Sequence, residues 1–249
     1  MVVNFYKKNN FEITETTFAD LLKIYFEKQP IPQGRGTSKV VEYKGEKYIL
    51  KKEKRGGFLS FLLKEEFLSL KGFFKEVEIS KIMEENKLTI PILLRFAIKY
   101  KMLWQIYTLT PYIENCVSLK EVVLKDCIDK KKIISSGEKI ARMHKIGIFH
   151  SDLNLGNIIF DKQEVYLIDF KNSYIYDSPL NKLLCKKNLI RLLRSYIKER
   201  MRAKKKAEED FLQFLIEGYS SVIKEDWVKR ISFENFSVKL HALSYKIRF

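Results

Sequence analysis

The chain is poor in cysteine, in acidic charge and in long apolar runs, and each shortage removes a class of protein. Three cysteines occur in 249 residues, at Cys116, Cys127 and Cys185. They are odd in number, widely spaced and form no C-x-x-C pair. That argues against a disulfide-stapled secreted domain and a structural zinc site, and points to a reducing compartment. No uninterrupted apolar run approaches the ~18 residues of a membrane span. The first residues, Met1-Val-Val-Asn-Phe-Tyr-Lys-Lys, lack the apolar core of a secretory signal. The expected location is cytoplasmic, with at most a peripheral hold on a membrane. No internal repeat or low-complexity tract appears.

Acidic residues are also short. Asp and Glu total 31 against 47 Lys and Arg, a net charge of +16. This balance suits an anionic partner: nucleic acid, an acidic lipid surface or a phosphorylated ligand. A Lys-rich soluble surface gives the same number. No interleaving of basic and stacking aromatic residues accompanies it, so nucleic acid is not the expected partner. Hydrophobic residues at 46% and aromatics at 13% suffice for a real core. The length suits one large domain or two lobes.

One stretch carries chemistry. His150-Ser-Asp152-Leu-Asn154-Leu-Gly-Asn157 is followed by Val165-Tyr-Leu-Ile-Asp169-Phe170. An H-x-D, an Asn five residues after the Asp and a hydrophobic strand ending in Asp-Phe make the layout of a kinase catalytic loop. Phosphoryl transfer needs a carboxylate to orient and deprotonate the acceptor hydroxyl, a task for Asp152. It also needs oxygen ligands for Mg2+ on the phosphates of ATP, and Asn157 and Asp169 are the candidates. Between them, Asn157–Phe160 and Val165–Ile168 flank the polar Asp161–Glu164 and predict a hairpin that holds its two ends together. His150 is expected to position this loop, and His144, on a helix predicted over Ile133–Lys145, to pack or cap.

Upstream, Gly34-Arg35-Gly36-Thr37 sits where a nucleotide-phosphate loop belongs, its glycines letting backbone N–H groups approach phosphates. Val40–Tyr43 and Lys47–Lys51 predict a hairpin around Lys44-Gly45-Glu46. Lys51 matches the lysine that contacts the α- and β-phosphates, with Lys52 the alternative if the register slips by one. A helix is expected from Phe58 to about Asn86, with a break near Gly72. On it Glu76 flanks the apolar stripe Val77, Ile79, Ile82, Met83 and is the expected partner of Lys51, whereas Glu78 reads as solvated. Strands follow over Thr89–Ile98 and Met102–Thr110. Tyr112 lies at a hinge whose backbone would bond the adenine edge. From Leu119 the pattern is mainly helical. Strands first and helices later predict an α+β, bilobal protein-kinase-like fold: a small β-rich N-lobe over residues 1–110 and a larger helical C-lobe over 111–249.

In these blocks the chain resembles the lipopolysaccharide core kinases, and specifically the Kdo (3-deoxy-D-manno-octulosonic acid) kinases. The resemblance rests on Gly34-Arg-Gly-Thr37, Tyr48-Ile-Leu-Lys51, Arg55-Gly-Gly57, Phe74-Lys-Glu76, His150–Asn157, Leu167-Ile-Asp-Phe170 and Asn188–Ser195. The H-S-D-L-N form, with Asn154 where protein kinases carry Lys, discriminates best and adds Asn154 to the catalytic candidates. The resemblance implies ATP-dependent phosphorylation of the Kdo 4-hydroxyl on Kdo–lipid A, at the cytoplasmic face of a Gram-negative inner membrane. The chain departs from general kinases at Lys171, where they carry Gly, and from many relatives at Lys51, where Arg stands. Residues 199–249 match poorly and receive no catalytic role.

The acceptor is expected to be small. Lys171 to Pro179 is brief and no A-P-E follows, so a peptide platform is missing. Arg191 and Arg194 lie three apart on one helix face and could meet an anionic sugar, as could Arg55; the bland reading is salt bridges or solvent. A basic cluster, Lys51–Arg55, precedes the apolar Phe58–Leu63. The pairing suits an anionic membrane surface, or else a core-packing helix. The competing readings are a heptose kinase, an atypical Ser/Thr protein kinase, and a nucleic-acid-binding pseudokinase.

Overall fold

The computed structural model describes residues 2–14, 16–30, 38–54, 65–125, 129–162 and 164–233. The chain divides into two compact units. One comprises Met1–Lys81 and Ile90–Ile113, the other Ile82–Thr89 and Glu114–Phe249.

The first unit is built on a five-stranded antiparallel sheet of β1 (Val2–Lys7), β2 (Ser38–Tyr43), β3 (Glu46–Lys52), β4 (Leu94–Tyr100) and β5 (Leu103–Pro111), in the order β1-β4-β5-β3-β2. The β2–β3 connection is a two-residue turn with Tyr43 opposite Glu46. Lys44 and Gly45 both take positive φ, 52° and 80°, as a turn matched to strand twist requires. One face of the sheet packs Val41, Leu50, Leu94, Phe96, Tyr107 and Leu109 against Leu21 and Tyr25 of α1 (Thr17–Glu27). Each fully buried Leu contributes ~1.5–3 kcal/mol. The register sets Thr108 of β5 opposite both Lys51 of β3 and Arg95 of β4.

Helix α2 spans Lys71–Glu85, shorter than the Phe58–Asn86 helix the apolar pattern predicts. Phe67 is drawn instead into a β-bridge with Trp104, with N–H···O contacts of 2.9 and 2.8 Å in the two directions, so residues 65–70 are not helical. Gly72 is the second residue of the helix rather than a break. The glycine turn Gly34–Thr37, Arg55 and the apolar Phe58–Leu63 lie outside the described residues.

The second unit is mainly helical: α3 (Leu119–Leu124), α4 (Lys130–Lys145), α5 (Lys182–Arg202) and α6 (Glu209–Val222). It also carries short strands β6 (Val117–Ser118), β7 (Ile148–Phe149), β8 (Ile158–Phe160), β9 (Val165–Leu167) and β10 (Tyr174–Ile175). Ser118 and Glu121 close a reciprocal capping box at the start of α3. Helices α4 and α6 meet at two glycines. A Cβ on Gly218 would fall 1.9 Å from the Ile134 carbonyl oxygen, and one on Gly137 2.2 Å from that of Leu215. The segment after α2 is tied into this unit through Leu88 O, which accepts from Leu167 N–H at 2.9 Å, and Thr89 Oγ1, which donates to Leu167 O at 2.6 Å.

Candidate active site

Strands β8 and β9 pair antiparallel with Ile158 opposite Leu167, the hairpin the two apolar runs predict. Ile168 N–H donates to Asn157 O at 3.0 Å, so the ladder extends one residue and brings the chain at Asp169 beside Asn157. Asp169 turns the backbone sharply, with φ of 65°, a left-handed conformation that Asp tolerates better than bulkier residues. Asn157 Nδ2 donates to Asp152 O at 2.9 Å, which leaves Oδ1 as the end of that amide able to ligate a cation.

The loop from His150 to Asn157 is fixed by its own polar side chains. Asn154 caps the short 3-10 turn over Leu155–Asn157, accepting from Gly156 N–H at 2.8 Å and donating to Asp152 O at 3.0 Å. Both ends of its amide are thus used inside the loop. His150 Nδ1 accepts from Asp152 N–H at 3.1 Å, so its proton sits on Nε2, which donates to Ile168 O at 3.0 Å. Burial pushes its pKa down, offset in part by that carbonyl and by the charges of Asp169 and Asp152, and it holds the loop as neutral imidazole.

Beneath the loop lies a buried polar chain. Asn188 of α5 accepts from His150 N–H at 3.1 Å through Oδ1 and donates to His150 O at 2.9 Å through Nδ2. Oδ1 can only accept, so His144 Nε2, 3.1 Å away, must donate to it. His144 Nδ1 then accepts from the Tyr219 hydroxyl at 2.8 Å. Desolvation lowers the His144 pKa to about 4, against the Asn188 hydrogen bond, which favours the charged form. Asn188 and Tyr219 have no local sequence signature for this role.

Asp152 itself is half exposed, and its Oδ1 receives Arg191 Nη2 of α5 at 2.6 Å. Ser195, one turn further along α5, accepts from Leu155 N–H at 3.2 Å.

In the first unit, Lys51 Nζ lies 3.2 Å from Glu53 Oε2. Glu76 is buried and Glu78 exposed, which separates the two glutamates of α2. Glu76 Oε2 meets Arg95 Nη1 at 3.1 Å, an ion pair outside hydrogen-bond alignment. Lys51 influences Glu76 through space. Desolvation raises the Glu76 pKa and Glu53 adds to this, while Arg95 and Lys51 oppose it. Arg95, 1% exposed, also donates to Thr108 Oγ1 at 2.9 Å, and Thr108 donates to Glu53 at 3.0 Å. Against the expected Lys51–Glu76 pair, the close contacts are Lys51 with Glu53 and Glu76 with Arg95, so the two residues belong to a larger charged set that no motif marks. Tyr112 N–H donates to Lys47 O at 3.2 Å. Lys52 and Lys54 both pair with Glu65, at 2.7 and 3.7 Å.

Among the described residues no cluster of three or more His, Cys, Asp or Glu could hold a metal. Mg2+ on a nucleotide needs less, since it takes one or two protein oxygens and the phosphates. Asn157 and Asp169 supply hard oxygen donors of that kind. Among the described residues no helix is long and apolar enough to cross a membrane.

A 3-deoxy-D-manno-octulosonic acid kinase of Vibrio vulnificus (strain YJ016) is 30% identical over 194 residues, covering 76% of this chain and 81% of the relative. One of Vibrio parahaemolyticus serotype O3:K6 (strain RIMD 2210633) is 31% identical over 178 residues, covering 67% and 71%. One of Pasteurella multocida (strain Pm70) is 28% identical over 203 residues, covering 76% and 83%. Among solved structures, WaaP in complex with acyl carrier protein matches with a TM-score of 0.53 at 14% identity, over 92% of this chain and 97% of that one. That likeness shows an α+β kinase-like fold, an antiparallel sheet followed by a helical region. The profile of the lipopolysaccharide kinase (Kdo/WaaP) family matches residues 29–219. The chain belongs to that family.

Proposed function

We propose that the protein is an ATP-dependent kinase that phosphorylates the 4-hydroxyl of Kdo on Kdo–lipid A during lipopolysaccharide core synthesis. The observation that carries this reading is the Asp152 carboxylate, half exposed on a loop whose backbone is held by Asn188, Asn157, Asn154 and His150. A base must be accessible to the acceptor and rigid in direction, and this one is both. Its membership of a lipopolysaccharide kinase family makes the chain a phosphotransferase acting on a sugar hydroxyl, and the names of its relatives specify Kdo.

In this reading Asp152 orients the acceptor hydroxyl and takes its proton. Lys51, set by Glu53 and by the Glu76–Arg95 pair, steadies the nucleotide phosphates. Gly34, Arg35, Gly36, Thr37 and Tyr112 are further nucleotide contacts. Asn154 acts by shaping the loop. Asn157 and Asp169 hold Mg2+, which when bound neutralises charge on the transferred phosphoryl group. Arg55, Arg191 and Arg194 are acceptor contacts. A cytoplasmic, peripheral place on an anionic membrane surface suits a glycolipid acceptor and the net charge of +16. Lys52 and Lys54 are weak anchors for it, since both are already paired with Glu65.

The test is incubation of the purified protein with ATP, magnesium and Kdo–lipid A, with heptosylated core and casein as alternatives. One added phosphate on the Kdo ring, located by mass spectrometry after mild acid cleavage, is the expected product. Phosphate on heptose or protein alone overturns the Kdo assignment.

A further inference from the structure

Helix α5 presents Asn188, Arg191 and Ser195 at spacings of three and four, one stripe of the helix. Each holds a different residue of the 150–155 loop. Asn188 and Ser195 hold backbone groups, of His150 and Leu155. Arg191 differs in two ways. It holds a side chain, the Asp152 carboxylate, at 2.6 Å. The two side chains are also 50% and 48% exposed, whereas Asn188 is fully buried. A backbone clamp in the interior is permanent. A half-exposed ion pair is weak and yields to a competing anion.

Among the described residues, Asp152 Oδ2 has no partner and Oδ1 is occupied by the guanidinium. An acceptor hydroxyl approaching this carboxylate therefore also approaches Arg191. A planar guanidinium binds carboxylates through two parallel hydrogen bonds, more strongly than one oxygen of Asp152 engages it here. On the proposed acceptor, one methylene separates the carboxylate-bearing ring carbon from the carbon of the 4-hydroxyl. A ring that brings this hydroxyl to Asp152 thus carries an anion beside it.

We propose that Arg191 is the specificity residue for the acceptor's carboxylate, and that this carboxylate takes Arg191 over from Asp152 and frees the base. The inference rests on the reading of the chain as a kinase of an acidic sugar. In the transfer, the acceptor O–H bond breaks and its proton passes to Asp152 Oδ1. The acceptor oxygen bonds to the terminal phosphorus of ATP, and the bond from that phosphorus to the bridging oxygen breaks, its electron pair leaving on ADP. A neutral sugar leaves Arg191 on Asp152 and reacts slowly. Only an acid of the right shape releases its own base.

The test compares Kdo–lipid A with the same glycolipid carrying its carboxylate reduced to a primary alcohol. Wild type should prefer the acid by about 10–100-fold in kcat/KM, the range of a hydrogen-bonded charge contact. Arg191→Ala should bring the ratio to within about threefold of one, with KM for the acid raised and the rate on the reduced acceptor increased. Arg191→Lys should restore part of the preference, which a merely structural role does not predict. Circular dichroism and nucleotide binding establish that each variant is folded. An undiminished preference in Arg191→Ala overturns the proposal. So does a wild type that phosphorylates both acceptors equally, although the kinase reading then stands. A wild type inactive on the acid itself removes that reading and this inference with it.

Discussion

Asn188 spans the backbone of His150, accepting from its N–H at 3.1 Å and donating to its C=O at 2.9 Å. One side chain thereby fixes the peptide groups on both sides of a residue two positions before the proposed base. It also fixes the proton positions of His144 and Tyr219, since each group in the chain has one role left once its neighbour is assigned. Asn188→Ala strips three buried groups of their partner. It should cost at least ~2 kcal/mol of stability, because each buried group left unpaired costs ~1–3 kcal/mol. Tyr219→Phe removes one donor and should cost less. Urea denaturation of both variants checks the order; a larger loss for Tyr219→Phe contradicts the network.

The same chain predicts a pH response. His144 titrates near 6.5 when unfolded and at about 4 when folded. Between these values the unfolded chain binds the extra proton. Stability is therefore full above about pH 6.5 and falls as the pH drops toward 4, by on the order of 3 kcal/mol. His150, also depressed by burial, acts in the same direction. Urea midpoints at pH 7.5, 6 and 5 should fall in that order. His144→Gln, which keeps hydrogen-bonding groups without titrating, should flatten the slope, and an unchanged slope would remove His144 as its source.

Asp152→Asn keeps the shape of the side chain and discards the proposed base. Turnover should fall by ~10²–10⁴-fold, the usual contribution of a positioned base, with nucleotide binding largely retained. A variant within about threefold of wild type is incompatible with the role, being far below that range.

For the metal, Asn157→Ala and Asp169→Asn should each raise the magnesium concentration needed for half-maximal activity. Asn is the better replacement at position 169, because it accepts the left-handed backbone there whereas Ala does not accept it readily. Magnesium titrations that superimpose on wild type for both variants sink the assignment.

Arg95 balances two buried carboxylates, at 3.1 Å from Glu76 and 3.8 Å from Glu53. Arg95→Ala should destabilise the protein by ~3–5 kcal/mol, the cost of stranding buried charge. Arg95→Met combined with Glu76→Leu should recover part of this, since one of the two stranded carboxylates is then gone. Equal melting temperatures for the single and double variants would count against charge stranding as the cause.

The parts of the candidate site that the sequence makes legible are those encoded locally. Asp152, Asn157 and Asp169 lie within 18 positions, and a hairpin with clear turn polarity joins the latter two. Helix α4 and the β2–β3 hairpin are equally local. The rest depends on distant chain segments. Glu53 and Arg95 come together because β5 lies between β3 and β4, an order that no strand pattern reveals. Asn188 opens one of the blocks that carry the family resemblance, but its role is invisible until His150 is placed above it. The start of α2 was obscured because Phe67, apolar at helical spacing, is used in a bridge to Trp104. The passage of Ile82–Thr89 to the second unit is set by hydrogen bonds to Leu167, 78 positions on from Thr89.

The stripe of α5 bears on which insertions and deletions a lineage can accept. Asn188, Arg191 and Ser195 meet the loop at three points along one helix face. Adding or removing one residue between Asn188 and Ser195 rotates everything beyond it by about 100° and shifts it by about 1.5 Å. At least one of the three contacts would then point elsewhere. Length change in this helix is therefore closed to gradual drift. The turn that follows, from Ala203 to Glu208, carries no such phase relation to the loop, but it is held in its own right by Arg200, which donates to Lys206 O at 2.7 Å and pairs with Glu208.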